Sequence, residues 1–325
     1  MGDSEHSPET TRRGFLRAAG AGTAVAAAGQ AVSLKADDGL TPLPSRELGK
    51  TGVKIPILGV GTAPAGHRSR KEAADFFSYC LDVGANYMDT APAFAGYGIA
   101  QAALGDVLKT RRDEAFVVTK CWEPEGEKAL KLLRSNLDEL QIERADLVYA
   151  HSIGSDKMDP QQVLGAGGVM KALEKAQRDG LTRFIGLSGH NRPARFLDVL
   201  KEFKVQVMMN AVNYVCRHIY NFEETVWPEA HRLGVGLVAM KIYGGGAAKG
   251  GGRIKPPELL DAFRYAQSLP NISTVVVGMH GKEELDENIR FARTLKTLSD
   301  AEMAVLLERG KQLAKSWGMP HGPVA

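Results

Sequence analysis

Three polar side chains each end a short apolar run of the sequence. Asp89, Lys120 and His151 stand at the ends of three successive runs, and neighbouring members of the set are 31 residues apart. A carboxylate beside an ammonium group stabilises the charged form of both, and an ammonium beside a phenol lowers the phenol's pKa from its usual value of about 10. A phenol held in this way is a proton donor. The three residues therefore indicate an acid–base site, provided that the fold brings them together.

The spacing fits a repeating unit of one strand and one helix. Eight short β-rich runs alternate with longer segments of helical period, which is the pattern of a parallel sheet covered by helices. Eight such units predict an α/β fold of the (β/α)8 TIM-barrel type, in which chemistry lies at the carboxyl ends of the strands. The predicted strands cover residues 57–62, 86–89, 115–120, 146–151, 183–188, 206–212, 236–241 and 273–278.

Two further elements flank the predicted barrel. The segment 46–55 indicates an N-terminal β-hairpin that turns at Gly49–Gly52 and plugs the bottom of the barrel. Ser299 and Glu302 have the spacing of a capping box, which predicts an extra C-terminal helix. A doubly wound open sheet is the rival fold, but its phosphate-binding fingerprint is missing because Pro64 stands where the third glycine is needed.

The first 36 residues have the features of an export signal. Arg12 and Arg13 precede Phe15 and a mildly apolar run over 18–32, which resembles a twin-arginine signal peptide. We therefore predict that residues 37–325 form a single mature domain, exported by the twin-arginine machinery to the periplasm or another extracytoplasmic compartment. A frayed basic terminus on a cytosolic protein is the alternative. No stretch is apolar over the roughly 18 residues that a permanent membrane span needs.

Composition narrows the possible partners. Hydrophobic residues make up 44% and charged residues 24% of the 325 positions, as in an ordinary globular protein. The net charge of +3 is too small to recruit nucleic acid. The three cysteines show no metal-ligand spacing and no even pairing, so we expect neither a metal site nor a disulfide framework.

Several short motifs are spread along the chain between about Ser45 and Lys315. They are residues 58–62 (LGVGT), 89–91 (DTA), 104–105 (LG), 119–120 (TK), 146–151 (DLVYAH), 185–188 (IGLS), 277–278 (VG) and 287–288 (EN). Together these motifs resemble those of the aldo-keto reductase family. The resemblance implies a (β/α)8 reductase that uses a nicotinamide cofactor and an Asp, Tyr, Lys, His tetrad, with Asp89, Lys120 and His151 as three of its members. His151 would orient the substrate carbonyl.

The tyrosine of the tetrad departs from the family pattern. Phe94 occupies the position, five residues after the aspartate, where the family has Tyr, and phenylalanine donates no proton. Tyr97-Gly98 followed by Leu104-Gly105 restores the family spacing if three residues are inserted. We therefore assign the proton donor to Tyr97. The alternative is that Tyr97 only packs in its loop.

The resemblance also implies a set of cofactor contacts. Ser188, Gln206 and Lys241 match or lie beside family contacts to the nicotinamide amide and the phosphates. Met240 stands where many members place an aromatic ring on the nicotinamide, although ordinary barrel core is an equally open interpretation. Gly244 opens a glycine-rich stretch that resembles the loop over the pyrophosphate. The remaining implied contacts are Gly61, Thr62, Gly278, Glu287 and Asn288.

The identity of the cofactor depends on one position. NADP(H) is the default that the resemblance implies, but Glu284 stands where phosphate-preferring members often have Arg. A carboxylate there repels a 2′-phosphate, and Lys282 offers a compensating charge. NAD(H) is therefore a second candidate.

The expected activity is a metal-free, reversible interconversion of a carbonyl (aldehyde, ketone or sugar) and an alcohol by hydride transfer, with Tyr97 as the proton donor. One alternative is a catalytically impaired barrel that binds a nucleotide or sugar and signals to a partner. Another is a cofactor-independent sugar isomerase or lyase. The distance from the Tyr97 hydroxyl to Lys120 and His151 distinguishes the enzyme from the binding module. We expect Trp122 and Tyr243 to line the substrate pocket.

Overall fold

The computed structural model describes residues 42–245 and 252–325, all within one compact unit that runs from 40 to 325. The strands are β1 Ser45–Glu47, β2 Lys54–Pro56, β3 Leu58–Gly61, β4 Tyr87–Asp89, β5 Phe116–Cys121, β6 Ala145–Ala150, β7 Thr182–Gly189, β8 Val207–Ala211, β9 Gly236–Met240 and β10 Ile272–Gly278. The helices are α1 Arg70–Asp82, α2 Ala100–Arg111, α3 Gly126–Leu140, α4 Pro160–Leu164, α5 Val169–Arg178, α6 Pro193–Glu202, α7 Phe222–Thr225, α8 Trp227–Arg232, α9 Leu259–Ser268, α10 Lys282–Arg293 and α11 Asp300–Trp317.

Strands β3 to β10 close into a parallel barrel in chain order, with β10 paired to β3. Each of the eight predicted strands overlaps one of these strands, so the predicted (β/α)8 fold is confirmed. The strands read as continuous apolar runs because one face of each fills the barrel and the other is covered by helices. This geometry places all eight carboxyl ends at one mouth.

The N-terminal hairpin closes the opposite end of the barrel. β1 and β2 pair antiparallel, and Leu48 and Ile55 pack among the side chains of the barrel interior. The Lys50 amide donates to the Gly234 carbonyl just ahead of β9. Gly49 is required at this contact, because its φ is +53° and a Cβ would lie 2.3 Å from the Gly236 nitrogen. The predicted plug is therefore present.

Helices form the outer layer, and α11 follows the last barrel helix. Ser299 and Glu302 make the reciprocal bonds of a capping box at the start of α11, as the sequence predicts. The helix ends at Trp317, and a tail from 318 to 325 continues from it. None of the helices in 42–245 and 252–325 combines the length and apolar character that crossing a membrane requires. The predicted export signal, residues 1–36, lies outside the described residues.

Candidate active site

Parallel strands bring the predicted acid–base residues to the mouth of the barrel. Asp89 is the last residue of β4, Lys120 lies at the end of the neighbouring β5, and His151 directly follows β6. The Lys120 Nζ donates to Asp89 Oδ2 at 2.7 Å and to the Thr90 carbonyl at 2.8 Å. The Lys120 side chain is 1% exposed and that of Asp89 is 3% exposed. The pair is therefore a buried ion pair, held in place by the strand register.

Tyr97 reaches the same ammonium group from the β4–α2 loop. Its Oη accepts a hydrogen bond from Lys120 Nζ at 3.1 Å and lies 3.4 Å from Asp89 Oδ2. The loop makes a 3-10 turn over 93–95 and then passes through Gly96 and Gly98, both with positive φ, which admit the tight path of the chain. Phe94, at the family position, is instead 56% exposed.

The hydrogen bonds leave the phenol proton available. All three N–H donors of Lys120 are used, on Asp89, Thr90 and Tyr97, so the phenol oxygen is the acceptor in its contact with Lys120. Within the part of the chain that the structure describes, the Tyr97 O–H has just one acceptor in reach, Asp89 Oδ2 at 3.4 Å. The arrangement presents a proton that a substrate oxygen can accept.

The electrostatics of the site differ from the expectation based on Lys120 alone. Burial and the Asp89 carboxylate raise the pKa of Tyr97 well above its usual value, in the direction opposite to the lowering predicted from Lys120. The reason is that Asp89 neutralises most of the ammonium's field, so that desolvation dominates. Burial also raises the pKa of Asp89 and lowers that of Lys120. Tyr97 is therefore the protonated phenol across the physiological pH range.

His151 is held by the neighbouring strand. Its Nδ1 lies 2.8 Å from the Ser188 hydroxyl at the end of β7, and Trp122 meets its ring edge-on with centroids 6.1 Å apart. Burial and the charges of Lys120 and Lys241 hold the pKa of His151 well below its usual value. The imidazole is therefore neutral at pH 7, with Nδ1 engaged.

A groove opens at the mouth of the barrel beside Asp89 and Tyr97. It has a volume of about 810 Å³, and Asp89 and Tyr97 lie in its wall. Seven of the ten implied cofactor residues line it: Gly61, Met240, Lys241, Gly244, Gly278, Glu287 and Asn288. Tyr243 lines the same groove and donates to Asn288 Oδ1 at 2.5 Å, so this aromatic ring belongs to the cofactor side.

The structure does not bring the other three implied cofactor residues to the groove. Gln206 directly precedes β8 and therefore lies at the amino end of the barrel, where its Oε1 accepts from the Ile185 amide. That assignment is wrong, because strand direction carries the residue away from the mouth. The Thr62 hydroxyl is buried and donates to the Asp89 carbonyl, and the Ser188 hydroxyl contacts His151.

Charges in the groove suit an anionic ligand at one end and oppose it at the other. Lys241 directly follows β9, and its ammonium pairs with no carboxylate within 42–245 and 252–325. Glu284 lies farther along, where its carboxylate accepts from the His280 amide at 2.7 Å. Lys282 does not neutralise Glu284, because its ammonium lies 4.4 Å from the centre of the Tyr79 ring.

Several contributors carry no sequence signal that could have identified them. The Thr90 carbonyl acts through the main chain, and Arg253, which follows the glycine-rich stretch in the sequence, also lines the groove.

The three cysteines are buried, and burial raises the pKa of each thiol. In the described ranges, no three His, Cys, Asp or Glu side chains are grouped so as to hold a metal ion.

Comparison with known proteins agrees with this geometry. The aldo/keto reductase family model matches residues 57–259. L-galactose dehydrogenase of Arabidopsis thaliana is 25% identical over 322 residues, covering 87% of this chain and 99% of that protein. The structure of the PA4992 protein of Pseudomonas aeruginosa matches with a TM-score of 0.62 and 26% identity over 76% of this chain and 94% of its own. The holo form of aldo-keto reductase AKR11C1 from Bacillus halodurans shares the fold, with a TM-score of 0.67, 20% identity and coverage of 82% and 96%. The chain belongs to the aldo/keto reductase family and is an oxidoreductase.

Proposed function

We propose that this protein interconverts a carbonyl and an alcohol with a nicotinamide cofactor, and that Tyr97 is the proton donor. The observation that carries the proposal is the 3.1 Å contact between Lys120 Nζ and Tyr97 Oη, behind which Asp89 holds the ammonium at 2.7 Å. A barrel that only bound a nucleotide or sugar would have no need of a phenol at this point. The contact between Lys120 and Tyr97 therefore favours an enzyme over the alternative of a binding module.

The residues of the mouth divide the work between proton transfer and charge stabilisation. Tyr97 gives its proton to the oxygen that becomes the alcohol, and Lys120, already bonded to the phenol oxygen, stabilises the tyrosinate left behind. Asp89 keeps the lysine in position. His151 is neutral, and it donates from Nε2 to the substrate oxygen when the Ser188 hydroxyl donates to Nδ1. In the oxidative direction, the tyrosinate accepts the alcohol proton.

The groove fits a nicotinamide nucleotide. Lys241, which has no ion-pair partner among the described residues, supplies a cation for a phosphate. Gly61 and Gly278 approach their neighbours so closely that a Cβ on either would meet them at 3.0–3.2 Å. Gly244 has a φ of +72°, which leaves its backbone free to approach a ligand. When bound, the nicotinamide supplies the hydride. Because the Glu284 carboxylate is not neutralised by Lys282, we propose that the protein accepts NAD(H) as well as the family default, NADP(H).

A sugar carbonyl is the favoured substrate within the class of aldehydes, ketones and sugars. The relative that matches over 87% of this chain is named a galactose dehydrogenase. A small-molecule substrate also agrees with the depth of the site, since Lys120 is almost fully buried at the bottom of the mouth.

Exchange of Tyr97 for phenylalanine tests the proposal. Tyr97→Phe removes only the hydroxyl, and loss of a general acid lowers turnover by about 10²–10⁴-fold. The dissociation constants of NADPH and NADH, measured by tryptophan fluorescence, should stay within about threefold of wild type. Phe94→Leu is the control, because that ring is exposed. Full activity of Tyr97→Phe, or rescue of Tyr97→Phe by Phe94→Tyr, would place the proton donor elsewhere.

We also propose that the protein is exported through the twin-arginine route, on the strength of Arg12, Arg13 and the apolar run that follows. This route carries folded proteins, so the barrel can leave the cytoplasm with a nucleotide already bound. Replacement of both arginines by lysine should retain the protein in the cytoplasm, as measured by cell fractionation. Equal export of the double variant would remove the signal assignment.

A further inference from the structure

The C-terminal tail returns to the mouth of the barrel and is tied there through its main chain. The Tyr220 hydroxyl accepts from the His321 amide and donates to the Gly322 carbonyl, both at 3.0 Å. Asn191 Nδ2 donates to the Pro323 carbonyl at 3.2 Å. These contacts join the tail to the loops that follow β7 and β8, so the tail side chains have fixed positions beside the site.

Two imidazoles extend from the catalytic histidine along this side of the mouth. The His190 ring lies 6.1 Å from the His151 ring, measured between centroids, and the His321 ring lies 5.2 Å from that of His190. The Tyr220 ring backs His321 at 5.6 Å. We call His190 and His321 the imidazole wall. The groove that fits the nucleotide lies on the side of β9, β10 and β3, so the wall occupies the other part of the mouth.

The hydrogen-bonding groups of the wall are unused by the protein. His321 Nε2 is buried and has no partner within 42–245 and 252–325, and no hydrogen bond within those ranges involves the His190 ring. A buried polar nitrogen without a partner is unfavourable by about 1–3 kcal/mol. His321 Nε2 therefore lacks a hydrogen bond that a ligand can supply, and the half-buried His190 ring is free to make one as well.

The charge state of the wall points to one kind of ligand. Burial, with the nearby Lys241, lowers the pKa of His321 to about 4, and burial lowers that of His190 well below its usual value. Both rings are neutral at pH 7, and a neutral imidazole carries one donor and one acceptor. A hydroxyl group has the same two functions, whereas a carboxylate or an ammonium group has only one of them.

We propose that His190 and His321 bind hydroxyl groups of the substrate on the carbon atoms next to the reacting carbonyl, so that the enzyme selects polyhydroxylated aldehydes such as sugars. The inference rests on the proposed function and deepens it, since it names the residues that determine the substrate class. A carbon chain that leaves the carbonyl held at His151 would pass His190 and then His321. An aliphatic aldehyde would leave both rings without partners.

His321→Phe in the full-length chain tests the wall, because it keeps an aromatic ring against His190 and Tyr220 and removes both nitrogens. His321→Gln, which retains an N–H and an oxygen, should rescue part of the effect. His231→Phe is the matched control, since His231 is exposed on α8, whose C-terminal end faces the plugged bottom of the barrel. Thermal unfolding of each variant shows whether the fold is intact.

Two measurements read out hydroxyl recognition. The first compares KM for L-galactose with KM for butyraldehyde, which has no hydroxyl group. The second is the calorimetric dissociation constant of galactitol with NADPH present, a pair that cannot react. For His321→Phe we expect both the galactose KM and the galactitol dissociation constant to rise about tenfold, as for one lost hydrogen bond, with butyraldehyde within about twofold.

Three results would separate the possible failures. If KM of His321→Phe rose equally for L-galactose and butyraldehyde, His321 would have a merely structural role. If the galactitol dissociation constant of His321→Phe were unchanged, the proposal that the imidazole wall binds hydroxyl groups would be wrong. If wild-type protein reduced neither carbonyl, the proposed function would fail, and the galactitol measurement would still decide whether the wall binds hydroxyl groups.

Discussion

Removal of Lys120 from its buried ion pair with Asp89 should lower the stability of the fold by a measurable amount. Lys120→Met keeps much of the aliphatic side chain and deletes the ammonium. The Asp89 carboxylate, which is 3% exposed in the wild type, then loses its 2.7 Å partner. Breaking a buried pair in this way costs about 3–5 kcal/mol. For a domain of this size we expect the melting temperature to fall by about 10 °C.

The loss should depend on pH, and its sign follows from Asp89. Burial already raises the pKa of this carboxyl, and the ammonium of Lys120 opposes the rise, so the variant's Asp89 pKa is higher still. The unfolded chain has an aspartate pKa of about 3.9. A folded-state pKa above the unfolded one destabilises the fold as pH rises between the two values. Lys120→Met should therefore be closest to wild type near pH 4 and furthest from it at pH 7 and above.

A neutral double variant separates charge from packing. Asp89→Asn combined with Lys120→Met removes both charges, so it should recover much of the stability lost by Lys120→Met at pH 7. Urea unfolding of the wild type, Lys120→Met and the double variant at pH 4, 6 and 8 measures the effect. If Lys120→Met lowered the free energy of unfolding by less than about 1 kcal/mol, with no dependence on pH, the result would contradict the burial of the ion pair.

Three further expectations concern cofactor choice, pH dependence and a corrected residue. Glu284→Gln should shift the ratio of NADH to NADPH dissociation constants about tenfold towards NADPH, because a carboxylate in the groove is removed; an unchanged ratio would exclude Glu284 from the 2′-phosphate region. The kcat/KM for carbonyl reduction should be flat from pH 6 to 9, because the pKa of Tyr97 is raised and that of His151 is lowered; a midpoint near pH 7 would conflict with this electrostatic account. Gln206→Ala should lower the melting temperature and leave both nucleotide affinities unchanged, and a loss of affinity would return Gln206 to the cofactor site.

The strand ends were predictable because the barrel repeats. One βα unit separates Asp89 from Lys120 and Lys120 from His151, so equal spacing in sequence becomes adjacency around the mouth. The same regularity explains why each predicted strand overlaps an observed one. Gln206 shows the limit of the argument: placing a residue on the correct strand does not tell which end of the strand it occupies.

The position of the phenol depended on a loop. A spacing argument could relate Tyr97 to the family only through an insertion, whereas the 3-10 turn and two glycines with positive φ carry its hydroxyl to Lys120 and leave Phe94 exposed. The direction in which the pKa of Tyr97 shifts could not be predicted from the sequence either, because it depends on how much water the folded loop excludes. Desolvation is a property of the assembled mouth and not of any residue type.

Periodicity and motifs are local properties of a chain, so they were enough to predict the barrel, its plugged end, the family resemblance and the positions of Asp89, Lys120 and His151 at strand ends. Which side chains share the mouth when no period relates them depends on tertiary contacts. His190 and His321 are far apart along the chain, and they meet because the tail after α11 folds back onto the loop that follows β7. Contacts of this kind arise from the closure of the chain on itself, which leaves no signal in the spacing of residues.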